Sequence, residues 1–490
     1  MQQSLTLLLG LVCVSPVFGA AVFHWPDPAI DSMDEMLYMP FVSAVSTFAL
    51  NCGPRDNSTI AAQWLRIAYH DAATHDRVAG TGGMDASIVF EYNRPQNIGR
   101  GMLETLADFV DSPNEHVGMA DVIAMGAINA VVGCGGPIIP FRGGRIDATE
   151  AGPATVPEPQ QDLASHTAAF ARQGFNATEM ISGVRQADFP LIVTDEVPSG
   201  VQTFTSTIGF DNTLVTEYLD STTQDVLVVG SNITTRSDLR IFSSDGNATM
   251  QSMTSSDAFN QICADLIGRM IELVPSTVTL TDTIEPIDFK VWDTLLFPQG
   301  GSLAFLATLR IIDSDPGGCS APAFQVSPSP SSFLASLKGV TGYTMHSFNA
   351  SIDLATSISY FWFEVDNNDG SAPFIVDNQG TNFTINQDVL LFDPRRSFFA
   401  LGISQMVVAV KDSSGSVNVT STTLVQGTTT VPVSSTVTTL FQLDSAWPPA
   451  DGYTFYSASL PDEFSSNTLH TTVNGTAYSQ WVLQLDAPGV

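Results

Sequence analysis

Basic residues are scarce in this chain of 490 residues. It holds 18 Lys and Arg against 50 Asp and Glu, which gives a formal net charge of -32. An electrostatic field of this sign repels phosphate backbones, so nucleic acid is not expected as a partner. The same field favours solubility and attracts cations. We expect the protein to act as a monomer.

Long apolar runs are also few. One extends from Leu5 to Val14 and is followed by small residues at Gly19 and Ala20. This order is typical of a cleaved secretory signal over residues 1–20. The run is too short for a permanent membrane anchor, and no later run reaches the roughly 20 apolar residues that span a bilayer. The sequence therefore predicts a secreted, extracellular protein with no membrane association.

Cysteine is rare, and Cys13 falls within the predicted signal. The other four are Cys52, Cys134, Cys263 and Cys319. An even number in an exported chain favours two disulfides, in one of three connectivities that the sequence leaves open. The spacing shows no close Cys-X-X-Cys pair of the kind that binds zinc. Glycosylation is expected at Asn-X-Ser/Thr sequons beginning at Asn57, Asn176, Asn232, Asn247, Asn349, Asn382, Asn418 and Asn474.

The chain is too long for one compact core, and its character changes near Pro275. Before that point apolar residues recur three and four apart, which predicts helices at Thr59–His70, Arg100–Val110, Ala120–Val132, Leu163–Gln173 and Ala258–Leu273. After it, strand-length runs such as Ser357–Val365 and Gln405–Val410 predict a mainly β region. We expect a helical domain at 21–277 and a separable, sandwich-like β domain at 278–490. A hairpin is predicted over Met406–Leu424.

The most informative segment runs from Gln63 to Asp71. On a helix its Arg66 and His70 stand at i and i+4 and therefore share one face. Heterolysis of a peroxide O–O bond needs a base that moves a proton from the near oxygen to the far one, and a fixed positive charge beside the departing hydroxide. Imidazole and guanidinium meet these needs. The alternative is an amphipathic helix with an Arg–Asp surface pair and a hydrogen-bonded His.

The order Arg-X-X-X-His-Asp, followed by a Gly-rich loop with Asp-X-Ser, resembles the distal side of the plant, fungal and bacterial haem peroxidase superfamily. The resemblance covers roughly residues 35–275 and continues in order through Pro95–Gly99, Met119–Pro137, Gly144–Asp147 and Val156–Pro159. It implies a mainly α haem-peroxidase fold of the secreted fungal type, with haem b as cofactor. It also implies reduction of hydrogen peroxide with one-electron oxidation of a small organic or Mn(II) donor, whose identity the sequence leaves open.

The resemblance assigns roles to particular residues on the distal side. Asn97 resembles the residue that accepts a hydrogen bond from the distal His, and Glu91 resembles the Glu of that network. The distal calcium ligands of the family are matched by Asp71, Gly83, Asp85 and Ser87. Oxygen donors of these types suit Ca²⁺, while the alternative for the segment is a Gly-rich surface turn.

On the proximal side the family has a His that binds iron and donates its second nitrogen to an Asp. Asp238, in Ser237–Phe242, resembles that Asp. Asp211 resembles a ligand of a second calcium, although Phe204 and Thr203 stand where other members have an Asp ligand.

The proximal His itself is missing. No His occurs between His166 and His346, and Ser182 is followed directly by Gly183, as if about nine residues with a Gly-His-Thr or Gly-His-Ser signature had been removed. His166 precedes this point and is expected to have a solvent-side or packing role, with replacement of the missing iron ligand as the minor alternative. Two interpretations stay open. The gene encodes an intact peroxidase and the junction is mispredicted, or the chain is a non-catalytic secreted pseudo-peroxidase that binds glycan or protein.

Overall fold

We describe the protein from a computed structural model. It describes residues 3–10, 23–39, 52–55, 58–97, 99–183, 209–313, 326–330, 333–366, 372–400, 403–413, 417–428, 433–461 and 466–483. Within these residues, no helix combines the length and apolar character needed to cross a membrane.

The first half of the chain is helical, and every helix predicted from apolar spacing is present. Short 3-10 turns at Ser87–Phe90 and Pro95–Asn97 follow the second helix. The α-helices are α1 (Pro28–Tyr38), α2 (Ile60–Ala72), α3 (Arg100–Phe109), α4 (Met119–Gly133), α5 (Leu163–Gln173), α6 (Ala177–Gly183), α7 (Thr213–Leu219), α8 (Val226–Val229), α9 (Ser237–Phe242), α10 (Ala248–Ser252), α11 (Ser256–Ile271) and α12 (Phe333–Leu337).

The second half consists of packed sheets, as the strand-length runs predict. Strand pairs in these sheets are antiparallel except β1 with β8, which run parallel. The strands are β1 (Gln3–Gly10), β2 (Pro54–Arg55), β3 (Ser58–Thr59), β4 (Phe289–Gln299), β5 (Ser302–Asp313), β6 (Val326–Pro330), β7 (Gly342–Ile352), β8 (Ile358–Asp366), β9 (Phe374–Val376), β10 (Phe383–Thr384), β11 (Leu390–Phe392), β12 (Phe398–Ala400), β13 (Ile403–Lys411), β14 (Val419–Val425), β15 (Ser435–Leu440), β16 (Gln442–Leu443), β17 (Tyr453–Ser459), β18 (Ser466–Val473) and β19 (Thr476–Leu483).

The predicted hairpin at 406–424 is wrong, although both of its strands exist. β13 pairs with β11, β12 and β17, whereas β14 pairs with β15 and β18 in another sheet. Val408 and Val410 of β13 lie in the same buried cluster as Val419 of β14. The two strands thus face each other across a core instead of sharing hydrogen bonds, which is the arrangement of a sandwich.

Segments that resemble the peroxidase family and are far apart in sequence contact each other at α4. The Arg145 guanidinium pairs with Asp121 at 2.7 Å, and both side chains are almost fully buried. The Asp147 carboxylate accepts hydrogen bonds from the backbone N–H groups of Met119 and Ala120, both at 2.8 Å. It satisfies N–H groups at the start of α4, which has no side-chain cap of its own. These contacts fix the loop that leads to residues 156–159.

Buried ion pairs join the two halves of the chain across the boundary predicted after residue 277, and they argue against separate folding of the β domain. Asp34 of α1 binds Arg310 of β5 and lies 3.3 Å from the ammonium of Lys290 of β4. All three side chains are inaccessible to solvent. Tyr343 of β7 donates a hydrogen bond to the backbone oxygen of Tyr38 at 2.8 Å. Separating the halves would leave charges without partners, which is costly.

One of the two expected disulfides is present. Cys52 and Cys134 are bonded and connect the segment before α2 to the end of α4. Cys263 is a buried thiol within the core of the helical domain. Cys319 lies outside the described residues. A second bridge is thus not seen in the described part of the chain.

Candidate active site

The distal helix α2 is held in place by contacts in its first turns. Thr59 caps its start by accepting a hydrogen bond from the Ala62 N–H at 3.1 Å, and the Trp64 indole donates to Asp108 of α3 at 2.7 Å. These contacts set the rotation of the helix. Arg66 and His70 are consequently buried together, with 3% and 4% of their surfaces exposed. The surface-pair alternative for this helix is therefore wrong.

The orientation of Asn97 determines which nitrogen of His70 carries the proton. The Asn97 side-chain nitrogen donates to the backbone oxygen of Glu91 at 2.9 Å, so its Oδ1 faces His70 Nδ1 at 2.6 Å. An amide oxygen only accepts, and His70 Nδ1 must therefore be the donor. The other ring nitrogen, Nε2, keeps a lone pair and is available as a base.

The surroundings keep His70 neutral over a wide pH range. Burial, followed by the nearby Arg66 guanidinium, lowers the pKa of His70 to about 3, against the opposite effect of the hydrogen bond with Asn97. A neutral imidazole is the form that accepts a proton.

Glu91 contributes to this network through its backbone, and its carboxylate has another task. The carboxylate accepts a hydrogen bond from the Gly152 N–H at 2.7 Å and pairs with Arg94 at 2.8 Å. Burial raises the pKa of Glu91. The side chain thus ties the 3-10 turns after α2 to the loop near residue 152, and this tie places the carbonyl that orients Asn97.

The four residues assigned to calcium lie close together, with Asp71 near the end of α2 and the other three in the segment that follows it. Both Asp71 oxygens accept backbone N–H groups, from Ala86 at 2.8 Å and Ile88 at 3.1 Å, and Asp85 accepts from Ser87 N–H at 3.1 Å. The Ser87 hydroxyl is buried beside the carboxylates of Asp85 and Glu91. Burial, with the neighbouring Asp85 charge, raises the pKa of Asp71 well above its usual range. A Ca²⁺ ion would offset the mutual repulsion of these buried carboxylates.

This set holds only two carboxylates. No cluster of three or more His, Cys, Asp or Glu side chains placed to hold a metal occurs in the described ranges. A calcium ion here would rely on the Ser87 hydroxyl and on backbone carbonyls such as that of Gly83.

A cavity of about 290 Å³ separates the distal helix from a second wall. This volume is near the lower end of the range of roughly 300–1,000 Å³ for small-molecule sites. Arg66 and His70 line one side, and Ser237, Asp238 and Ile241 of α9 line another. The rest of the cavity wall is formed by residues 156–159, by Gly183 at the end of α6 and by other residues. In the family, the iron-binding His follows the helix that corresponds to α6. The end of α6 therefore lies at the cavity.

Asp238 is buried, as the resemblance predicts, but its neighbour is a second carboxyl. Its Oδ1 accepts from the Ser237 hydroxyl at 3.0 Å, and its side chain contacts Asp225. Burial, followed by the charge of Asp225, raises the pKa of Asp238 well above its usual range. Burial also raises the pKa of Asp225 to about 6. Sequence reasoning missed Asp225, because nothing in the local pattern marks a residue 13 positions before Asp238.

His166 lines the same cavity, which its sequence position did not predict. Its Nε2 lies 3.1 Å from the backbone oxygen of Glu158, and its Nδ1 is buried without a hydrogen-bond partner. Asp211 also lies at the cavity rim and accepts from the Thr213 N–H at 2.9 Å. The Phe204 and Thr203 positions lie outside the described residues, so the second calcium site stays a prediction.

Residues 46–183 match the family model described as "Peroxidase". This match includes the distal helix, Asn97 and the proposed calcium loop, and it ends at Gly183, where the sequence departs from the family. With the helical fold and the peroxidase relatives below, it supports a domain of the plant, fungal and bacterial peroxidase superfamily in this part of the chain.

Three relatives illustrate the breadth of the similarity. A "WSC domain-containing protein" of Arthroderma benhamiae is 33% identical over 311 residues, which are 59% of this chain and 43% of the relative. "L-ascorbate peroxidase 5, peroxisomal" of Arabidopsis thaliana is 35% identical over 120 residues, 24% of this chain and 43% of the relative. "Cytochrome c peroxidase, mitochondrial" of Cryptococcus neoformans is 30% identical over 133 residues, 26% of this chain and 35% of the relative. The chain spans less than half the length of each of these proteins.

Proposed function

We propose that the cavity is the haem pocket of a secreted peroxidase that reduces hydrogen peroxide and oxidises a small donor one electron at a time. The observation that carries this proposal is the Glu91–Asn97–His70 chain of hydrogen bonds, which leaves a neutral basic nitrogen beside Arg66. A hydrogen-bonded His with only a structural role has no need of a buried guanidinium four residues away on the same helix face.

The residues fit a haem on the distal side, where Arg66, His70 and apolar residues such as Leu65, Phe170 and Ile241 line the cavity. When bound, the haem supplies a redox-active iron. His70 Nε2 takes the proton from the near oxygen of the peroxide and delivers it to the far one. Arg66 stabilises the negative charge that develops on the departing hydroxide. Burial excludes competing water from both side chains.

The wider protein is proposed to suit an extracellular setting. A calcium ion held by Asp71, Gly83, Asp85 and Ser87 would connect α2 to the following loop and so hold Arg66 and His70 in place. Secretion after removal of residues 1–20 and glycosylation at the sequons are part of the same proposal.

The test is haem reconstitution of the full-length chain. We expect hemin to give a Soret band with a defined stoichiometry, and peroxide to change that spectrum. In His70→Leu and Arg66→Leu, haem should still bind, but the reaction with peroxide should slow by about 10²–10⁴-fold. A peroxide rate that neither substitution lowers would contradict the proposed roles.

The second candidate is a non-catalytic pseudo-peroxidase that binds glycan or protein. It is favoured by the absence of any His between His166 and His346, where the family has its iron ligand. A folded chain, judged by circular dichroism, that gives no Soret band with hemin would select this alternative.

A further inference from the structure

The cavity contains two imidazoles among its described lining residues, His70 and His166. They lie on different helices, His70 on α2 and His166 on α5. His70 has a place in the peroxide chemistry proposed above. His166 has none, although only 2% of its surface is exposed.

Hydrogen bonding fixes the tautomer of His166. Its Nε2 lies 3.1 Å from the Glu158 backbone oxygen, and a carbonyl oxygen only accepts, so Nε2 carries the proton. Nδ1 is then the nitrogen with the lone pair. It is buried and has no hydrogen-bond partner, so its electron pair is unused.

The surrounding contacts hold this ring in place. Phe170, one turn further along α5, stacks on Tyr69 of the distal helix with ring centroids 6.1 Å apart. On the other side, Arg240 of α9 donates to the backbone oxygen of Gln161 at 2.8 Å, in the loop before α5. Helix α5 is thus bound both to the distal helix and to the helix that carries Asp238, and His166 lies on the wall between them.

An imidazole that donates one N–H to a backbone carbonyl and presents its other nitrogen bare has the pattern of a metal-binding His. We propose that His166 Nδ1 is the axial ligand to haem iron in this chain, in place of the imidazole that the family provides after the position of Ser182. This inference rests on the proposed function, because it requires the cavity to bind haem. Burial lowers the pKa of His166, which keeps the ring neutral and able to donate its electron pair.

The experiment compares the full-length wild-type chain with His166→Ala, each titrated with hemin. The ferrous wild-type complex should show an iron–imidazole stretching band by resonance Raman spectroscopy, and this band should survive in His70→Leu. In His166→Ala the band should be lost and haem affinity should fall by at least about 10-fold, because loss of an outer-shell partner alone costs a metal site about 10- to 100-fold. Added imidazole should restore the band.

His346→Ala is the matched control, since His346 is a fully buried imidazole on β7, far from the cavity lining. It should change neither the band nor the affinity. His166→Gln keeps a side chain of similar size and serves if His166→Ala does not fold. Wild-type protein that is folded but binds no haem would overturn the proposed function. Haem binding with an iron–imidazole band that persists in both His166 variants would overturn the role of His166 alone.

Discussion

Asn97 Oδ1 lies 2.6 Å from His70 Nδ1, and the amide is held in that orientation by its own bond to the Glu91 carbonyl. The relationship makes Asn97 a positioning residue. It selects the tautomer of His70 that has its basic nitrogen free, although Asn97 itself touches no substrate.

Replacing Asn97 by Val should therefore slow the reaction of the haem-loaded protein with peroxide by about 10- to 100-fold, because His70 loses the acceptor that fixes its tautomer. Stopped-flow measurement of the second-order rate constant checks this. The control is Asn129→Val, since Asn129 is equally buried on α4 but does not line the cavity. An equal loss in both variants would show that general destabilisation is the cause.

The pH dependence of the peroxide reaction follows from the lowered pKa of His70. The base is active when unprotonated, so the rate should stay level above about pH 4 and fall as the pH approaches 3. The unfolded chain binds this proton near pH 6.5, so the contribution of His70 to stability should decrease from about pH 6.5 down to about pH 3. A rate profile with its acid limb near pH 6.5 would contradict the assigned environment of the ring.

The Asp225–Asp238 pair should make stability depend on pH in the opposite direction. Both carboxyls have a pKa that folding raises, so their contribution is fully present below the unfolded value of about 3.9 and decreases as the pH rises, with that of Asp225 lost through about pH 6. Asp225→Asn removes one charge and keeps an acceptor for the Leu227 N–H. Thermal denaturation should show the variant gaining stability over the wild type from pH 4 to pH 7. The exposed Asp265→Asn should show no such trend.

Asp34→Asn should lower the free energy of unfolding by about 3–5 kcal/mol, because it leaves Lys290 and Arg310 buried with less compensating charge. Calorimetry should also show one unfolding transition for both halves, and proteolysis near Pro275 should give no stable fragment. Glu272→Gln is the control, since its pairing with Arg142 is 3.7 Å long and more than a third exposed, and such pairs contribute at most about 1 kcal/mol. Independent melting of the halves would refute the joint core.

Calcium at a hundredfold excess over its Kd should raise the melting temperature by roughly 3 °C, since binding to the folded state alone adds about 2.7 kcal/mol and both halves of the chain unfold in one transition. Asp85→Asn should abolish the shift, and Mg²⁺ should not reproduce it because its shell is smaller and more rigid. If calcium leaves the wild-type melting temperature unchanged, the loop is held by its backbone hydrogen bonds alone.

The sequence was sufficient for features that depend on neighbours along the chain. Apolar spacing gave the helices, and the i, i+4 relation placed Arg66 and His70 on one face, since helix geometry alone requires it. The roles of Asn97 and of the predicted calcium ligands came from the resemblance to the peroxidase family, and the calcium site stays a prediction. The same local reasoning identified β13 and β14 as strands.

Only the tertiary structure decided what those elements pack against. β13 and β14 were predicted to pair because they are adjacent in sequence, but burial of their valines places them in facing sheets. Asp225 meets Asp238, and Asp34 meets Arg310 across 276 positions, without any local signal. The apolar spacing around His166 is the same whether its side chain faces solvent or a cavity. The contacts that α5 makes with α2 and α9 determine which of the two it faces. Local patterns specify backbone conformation and the apolar face of an element, whereas its partners depend on long-range packing that no short window of sequence contains.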